Sequence, residues 1–169
     1  MTNLRLSQWL TILLLVLGLG QFAWYYPLLP EQVAAHFGPD GQPDRWEDKG
    51  SFLATLAVIY SFVVVLLLPW AVLLRHLPTS LINLPNKPYW LAPERREATL
   101  GFLTDQLWWL NAASLALLFF VFNLGLRANL QENPEFDGGS FLAVLGAYLV
   151  FIVVWTCRAV WRFRMPAEI

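Results

Sequence analysis

The densest group of side chains that could perform chemistry lies between residues 27 and 50. It combines one imidazole with several carboxylates: Glu31, His36, Asp40, Asp44, Glu47 and Asp48. Such groups can bind a divalent cation or transfer a proton. Zinc sites, however, use more nitrogen or sulfur ligands, and the carboxylates do not follow the EF-hand spacing for calcium. We therefore predict no metal here and expect His36 to form a hydrogen bond within the segment, with metal or catalytic use as the alternative.

The remaining sequence offers no catalytic constellation. The single cysteine, Cys157, excludes a disulfide framework and Cys-based zinc motifs. There is no P-loop, dinucleotide fingerprint, HExxH or GxSxG pattern. The hydroxyl nearest to His36 in the following sequence, Ser51, is expected at the start of a helix. We predict that the protein is not an enzyme and needs no cofactor, and its net charge of −1 gives no indication of a nucleic-acid partner.

The elements that must position these residues are strongly apolar. The chain is 57% hydrophobic and 14% charged, against about 25% charged in ordinary soluble domains. Four stretches reach the length of about 20 apolar residues that crosses a bilayer, at about 9–26, 52–74, 107–126 and 141–161. We predict an all-α integral membrane protein, in which residues 1–169 form a single four-helix bundle. The first stretch lacks a cleavage site for a signal peptide and is predicted to be retained.

Basic residues predict the orientation of the bundle by the positive-inside rule. One side of the predicted membrane holds most of them: Arg5, Arg75, Lys87, Arg95, Arg96, Arg158, Arg162 and Arg164. The other side holds Arg45, Lys49 and Arg127. We therefore expect both termini in the cytoplasm, with the protein crossing the membrane several times.

Small or polar residues recur on one face of each predicted span. They are Ser7, Thr11, Gly18 and Gln21; Ala54, Ala57 and Ser61; Asp105, Ala112, Ala116 and Asn123; and Ser140, Ala143 and Ala147. Small residues let helices pack closely in lipid, so we expect these faces to turn inward. Asp105 is expected to be solvated or to pair with Arg75 or a basic residue of the tail, Asn111 and Asn123 to bond across helices, and Cys157 to pack.

The external loop, residues 27–50, is predicted to be an ordered segment of 24 residues. Pro39-Asp40-Gly41 is a turn signal, Val33 to Phe37 suit a short extended segment, and Asp48 or Ser51 can cap the second span. Ordered loops of this kind often carry function. The predicted binding residues are His36, Phe37, Asp44, Arg45, Trp46 and Lys49.

The cytoplasmic loop, residues 75–104, is predicted to lie at the membrane interface. Its prolines prevent one continuous helix, and Pro93-Glu94 suits the first turn of a helix entering the third span. Aromatic and basic side chains favour contact with headgroups. The residues predicted to contact lipid or a partner are Asn83, Asn86, Lys87, Tyr89, Trp90, Arg95 and Arg96.

Both loops resemble those of a bacterial membrane family that is a domain of unknown function. The residues that carry this resemblance are Leu29-Pro30, His36-Phe37, Gly41, Pro43-Asp44, Trp46 and Lys49, together with the segment from Asn83 to Arg96. The same domain forms the amino-terminal part of SdpI-type immunity proteins, which carry additional helices. The resemblance implies an inner-membrane protein without established catalytic residues. For SdpI-type proteins it implies protection against a secreted toxin and sequestration of a repressor at the membrane.

Two functional hypotheses follow. In the first, the protein is a binding or sensing module whose external loop recognises a peptide, an envelope component or a protein partner. In the second, it is an accessory subunit that docks on a larger membrane complex. Membrane lipid is an expected partner in both.

Overall fold

A computed structural model describes residues 4–164 of the chain. The main elements are α1 (Leu6–Tyr25), β1 (Gln32–Phe37), β2 (Pro43–Asp48), α2 (Lys49–Leu73), α3 (Lys87–Trp90), α4 (Pro93–Ala128) and α5 (Gly138–Arg162). Two 3₁₀ turns, Leu74–His76 and Thr79–Leu81, follow α2. The helices α1, α2, α4 and α5 are long and apolar enough to cross a membrane.

The third spanning helix is longer than the hydropathy pattern predicted. α4 begins at Pro93, in agreement with the Pro93-Glu94 signal, rather than near residue 107. The predicted loop 75–104 is therefore wrong over residues 93–104, which are helical. Charged residues such as Arg95 and Arg96 favour helix formation but lower hydropathy, so a search for apolar stretches misses this part of the helix.

α4 is the centre of the bundle because it packs against α1, α2 and α5. The inward face predicted for α1 is confirmed: its buried residues are Ser7, Thr11, Gly18 and Gln21. Gly18 permits a close approach, since a Cβ atom there would overlap the ring of Tyr60. The Tyr60 hydroxyl donates a hydrogen bond to the Leu14 carbonyl at 2.8 Å.

The inward faces predicted for α2 and α5 are wrong. Ala54 and Ser61 are exposed, and α2 instead buries large residues: Phe52, Leu53 and Tyr60, together with Ala71. Ala143 and Ala147 are exposed on α5, which has no buried residue, packs mainly against α4 and touches α3 through Arg162, whose guanidinium lies 4.4 Å from the Trp90 ring centroid. On α5 the side chains bonded to α4 are large, with Tyr148 at Ser114 and Trp155 at the Gln106 carbonyl, so small residues do not mark the packed faces of these two helices.

Polar residues within the bundle follow the predictions in part. Asn111 donates to the Leu67 carbonyl of α2 at 3.4 Å, and Asn123 to the Tyr25 hydroxyl of α1 at 3.2 Å, which confirms bonding across helices. Asp105, in contrast, accepts a hydrogen bond from Ser7 and lies 3.7 Å from Arg5, so the predicted pairing with Arg75 or the tail is wrong. Cys157 is exposed rather than packed.

A candidate binding site beneath the hairpin

The segment between α1 and α2 folds into an antiparallel hairpin of β1 and β2. Gly41 has φ 80°, which its missing Cβ permits, and the Gly41 N–H donates to the Gly38 carbonyl at 2.9 Å. The Gly38 N–H in turn donates to the Gln42 carbonyl at 2.8 Å. The predicted turn and the extended segment at Val33 to Phe37 are confirmed, and the second strand adds to them.

Asn129, at the end of α4, holds the free edge of β1. The Ala34 N–H donates to its Oδ1 at 2.6 Å, and its Nδ2 donates to the Ala34 carbonyl at 3.0 Å. Val33 and Ala34 are both completely buried. The Asn129 amide thus forms the hydrogen bonds that a third strand would form with this edge of β1. Nothing in the local sequence pattern identified Asn129.

The connection between α4 and α5 closes over the tip of the hairpin. The Phe136 N–H donates to the Gly41 carbonyl at 2.9 Å. The Phe136 ring lies 5.4 Å from that of Phe37 and 5.8 Å from that of Phe141, measured between centroids. The hairpin is therefore fixed both to the end of α4 and to the start of α5. We call this side of the bundle the hairpin end.

A groove of about 850 Å³ lies beneath the hairpin, between α2, α4 and α5. Its walls within the bundle are mainly apolar, and its rim is formed by the hairpin tip and Glu135. The apolar wall includes Phe52, Leu56, Val121, Phe122, Phe141 and Leu142. Gly125 also lines the groove and leaves space, since a Cβ atom there would meet nothing within 4 Å.

The hairpin residues predicted to bind fall into two groups. His36 and Phe37 line the groove, and His36 Nδ1 lies 2.6 Å from Asp44 Oδ1. The others, Asp44, Arg45, Trp46 and Lys49, do not line it. Of these four, Trp46 is half exposed.

The basic residues of the hairpin region are neutralised locally. Arg45 Nε lies 3.2 Å from Glu47 Oε1 and Lys49 Nζ lies 2.8 Å from Glu31 Oε1, so each of these basic residues has a carboxylate partner. Across residues 4–164, no group of three or more His, Cys, Asp or Glu side chains could hold a metal ion.

Two aspartates at the hairpin end cap helices in the same way. Asp48 accepts from the Ser51 N–H at 2.9 Å, as predicted, and Asp137 accepts from the Ser140 N–H at 2.9 Å and from its hydroxyl at 2.6 Å. Hydrogen bonds from Ser140 lower the pKa of Asp137 below its ordinary value. Ser51 lowers the pKa of Asp48 in the same manner. Both carboxylates are occupied at helix starts.

At the opposite side of the bundle, which we call the α3 end, two of the predicted interface residues bind the end of α5. Asn86 Nδ2 and Trp90 Nε1 both donate to the Phe163 carbonyl, at 3.0 and 3.1 Å. Lys87 donates to the Ser80 carbonyl at 3.2 Å. The carbonyl of Phe163, at the C-terminal end of α5, therefore has two partners within the protein.

The other predicted interface residues make different contacts. The Arg95 guanidinium lies over the Tyr89 ring at 4.1 Å, and Arg96 Nη2 donates to the Leu77 carbonyl at 3.2 Å. Asn83 is exposed. The structure therefore gives Arg95 and Arg96 contacts within the chain, and their predicted contact with lipid or a partner stays a prediction.

Comparison with known proteins finds a family match for part of the chain. No curated protein and no solved structure matches the chain. Residues 13–60 match a family described as a domain of unknown function (DUF1648), a segment that covers most of α1, the whole hairpin and α2 as far as Tyr60. The predicted resemblance to such a family is thus confirmed for the part of the chain that builds the hairpin.

Proposed function

We propose that this protein is a membrane-embedded binding module whose hairpin end recognises a peptide with apolar and basic side chains. The observation that carries the proposal is the groove of about 850 Å³ beneath the hairpin. Ligand sites are typically concave, mainly apolar and of this size, with a few polar groups at defined positions. Here those polar groups are His36, Asp40 and Glu135.

The charge of the hairpin end supports a basic ligand. Asp40 and Glu135 both lie at the groove and form no salt bridge within residues 4–164. Carboxylates at the rim attract cationic side chains and speed their association. An apolar side chain of the same peptide would occupy the space beside Gly125. The protein is proposed to act by binding, without catalysing a reaction.

The cellular setting is part of the same proposal. Four helices that can cross a membrane, and a hairpin within the DUF1648 match, support a multi-pass membrane protein with this recognition role. We place the hairpin outside a bacterial inner membrane and both termini in the cytoplasm, on the positive-inside rule. By resemblance to SdpI-type proteins, the peptide would be a secreted toxin or signal.

The groove can be filled without disturbing the bundle. In Gly125→Leu, the new side chain should enter the groove, because no atom lies within 4 Å of its Cβ position, and leucine favours a helix more than glycine. The matched control is Gly20→Leu on α1, where a Cβ also meets nothing within 4 Å and the groove is not involved.

Binding would be measured by fluorescence anisotropy in lipid nanodiscs, with a labelled amphipathic peptide of Leu and Lys as the probe. We expect the purified protein and Gly20→Leu to bind this peptide, and Gly125→Leu to lose binding while its melting temperature is retained. The same peptide with Glu in place of Lys should not bind. Equal binding by both glycine variants, or a preference for the acidic peptide, would contradict the proposal.

A second proposal, an accessory subunit of a larger complex, is favoured by α5. No residue of α5 is buried, and apart from the contact of its last residue, Arg162, with Trp90, the helix packs against α4. Its outer face is therefore free to contact lipid or another spanning helix. Recovery of a stoichiometric partner in mild detergent, and its loss when Val150 and Val154 on the exposed face are changed to Trp, would support this role. Recovery of the protein without a partner would contradict it.

A further inference from the structure

At the α3 end, Arg5 and Arg75 both approach Gly101. Arg5 immediately precedes α1, and Arg75 follows α2. The point that a Cβ atom would occupy on Gly101 of α4 lies 3.9 Å from Nη2 of Arg5 and 3.6 Å from Nη2 of Arg75. The two Nη2 atoms are therefore at most about 7.5 Å apart, and both guanidinium groups make the potential at this point positive, which favours an anion there.

The carboxylates nearby neutralise this pair only partly. Arg5 Nη1 lies 3.7 Å from Asp105 Oδ1, an oxygen that already accepts a hydrogen bond from Ser7 at 2.9 Å. Within residues 4–164, Arg75 forms no salt bridge. The pair therefore retains donors for an anionic ligand, and guanidinium groups bind phosphate well because two N–H groups can donate in parallel.

A cavity of about 450 Å³ surrounds the two arginines and also contains acidic groups. Its lining includes Arg5, Arg75, Gly101, Glu94 and Glu97. Neither glutamate forms a salt bridge in the described part of the chain. A neighbouring cavity of about 630 Å³ again includes Arg5, Arg75 and Glu97. The first cavity thus presents two cations and two anions to the same space, and Asp105, the carboxylate beside Arg5, lines the second.

The position of the cavity relates these charges to the membrane. Arg5 and Arg75 stand where two spanning helices end, which is the level of the lipid headgroups. α4 has 36 residues, more than the roughly 20 that cross a bilayer, and its first turns carry Glu94 and Glu97. Phosphate and ammonium groups are both present at headgroup level.

We propose that this cavity binds a phospholipid with a phosphoethanolamine headgroup, its phosphate between Arg5 and Arg75 and its ammonium beside Glu94 and Glu97. A primary ammonium can donate hydrogen bonds to carboxylates, whereas the quaternary ammonium of phosphocholine cannot. A phosphoglycerol headgroup carries no cation and leaves both glutamates uncompensated. The cavity therefore selects phosphatidylethanolamine over phosphatidylcholine and phosphatidylglycerol.

The test is native mass spectrometry of protein released from nanodiscs that contain these three lipids in equal amounts. The wild-type protein should retain phosphatidylethanolamine preferentially. Arg75→Gln should reduce retention about tenfold, since it removes one of the two cations proposed to bind the phosphate. Arg75→Lys, which keeps the cation, should restore part of it. The matched control is Arg164→Gln, which removes an exposed cation beyond α5, outside both cavities.

The glutamates are tested separately. The double variant Glu94→Gln with Glu97→Gln should keep lipid bound but lose the preference for phosphatidylethanolamine over phosphatidylglycerol. Equal retention of the three lipids by the wild type, or unchanged retention by Arg75→Gln, would overturn the proposal. Binding of soluble O-phosphoethanolamine by lipid-free protein, with no lipid retained from nanodiscs, would overturn the lipid as the occupant. Melting temperatures identify any variant that has lost its fold.

Discussion

The two ends of the bundle use their polar side chains in different ways. At the hairpin end, charged groups pair with one another, as in Arg45 with Glu47 and Lys49 with Glu31, and the cavity below them is mainly apolar. At the α3 end, polar groups bind the Phe163 carbonyl, whereas Arg75 and Glu97 face a cavity without a salt bridge. The density of charge is therefore a poor guide to a site, because paired members neutralise each other and only those without a salt bridge in residues 4–164, such as Asp40, remain available to a ligand.

The largest loss of stability is expected from replacing Asn129, whose side chain connects the end of α4 to β1. Asn129→Ala removes both hydrogen bonds to the completely buried Ala34. An unsatisfied buried backbone group costs about 1–3 kcal/mol, and this variant leaves two. We expect a marked fall in melting temperature and protease cleavage within the hairpin turn.

The matched control for Asn129 is Asn83→Ala at the α3 end. Asn83 is exposed and its side chain donates no hydrogen bond within residues 4–164, so stability should be unchanged. If Asn83→Ala were as unstable as Asn129→Ala, the conclusion that the Asn129 side chain holds the hairpin in place would be wrong.

Removing the two donors to the Phe163 carbonyl at the α3 end should lower the unfolding free energy by a smaller amount, and the two losses should not be additive. Trp90→Phe and Asn86→Gly each remove one donor, and glycine accepts the φ of 53° found at position 86. Each single variant should lose about 1 kcal/mol of unfolding free energy because the other donor remains.

The double variant leaves the Phe163 carbonyl without either donor. We expect it to lose more than the sum of the single effects, as measured by a double-mutant cycle of denaturant unfolding. If the two losses of unfolding free energy were strictly additive, the two donors would act independently. Another group would then satisfy the Phe163 carbonyl.

A smaller loss of stability, which should depend on pH, is expected when the Asp137 cap of α5 is removed. Because the pKa of Asp137 is lowered in the folded protein, folding favours the carboxylate, and the stabilisation is complete at neutral pH. It should decline as the pH falls below about the ordinary value of 3.8 and through the lower folded-state pKa. Asp137→Ala should therefore melt earlier than wild type at pH 7, and the difference should shrink at pH 3.

The smallest effect on stability is expected at His36. Its pair with Asp44 joins two side chains that are more than half exposed, and such pairs contribute less than about 1 kcal/mol. His36→Gln should keep the melting temperature but weaken binding of the Leu and Lys peptide, since His36 lines the groove. A variant that unfolds would make His36 structural, and one that binds normally would remove it from the site.

The structure agrees with the sequence predictions where residues that are close together in the chain determine it. The turn at Pro39-Asp40-Gly41, the cap at Asp48 and the buried face of α1 all depend on residues that are near in sequence. It failed for the packed faces of α2 and α5, because large side chains can pack as well as small ones when the partner helix accommodates them. It also assigned the partner of Asp105 incorrectly, since the choice between Arg75 and Arg5 depends on how the helices are arranged.

The sequence by itself determined that four apolar helices can cross a membrane and that a turn-rich segment joins the first two, because hydropathy and turn chemistry act over short stretches of chain. Only the tertiary structure decided which polar groups meet. Asn129 reaches Ala34 across 95 positions, and Arg5 reaches Gly101 across 96. Contacts at such separations arise from the packing of whole helices around α4, and no local pattern of residues records them.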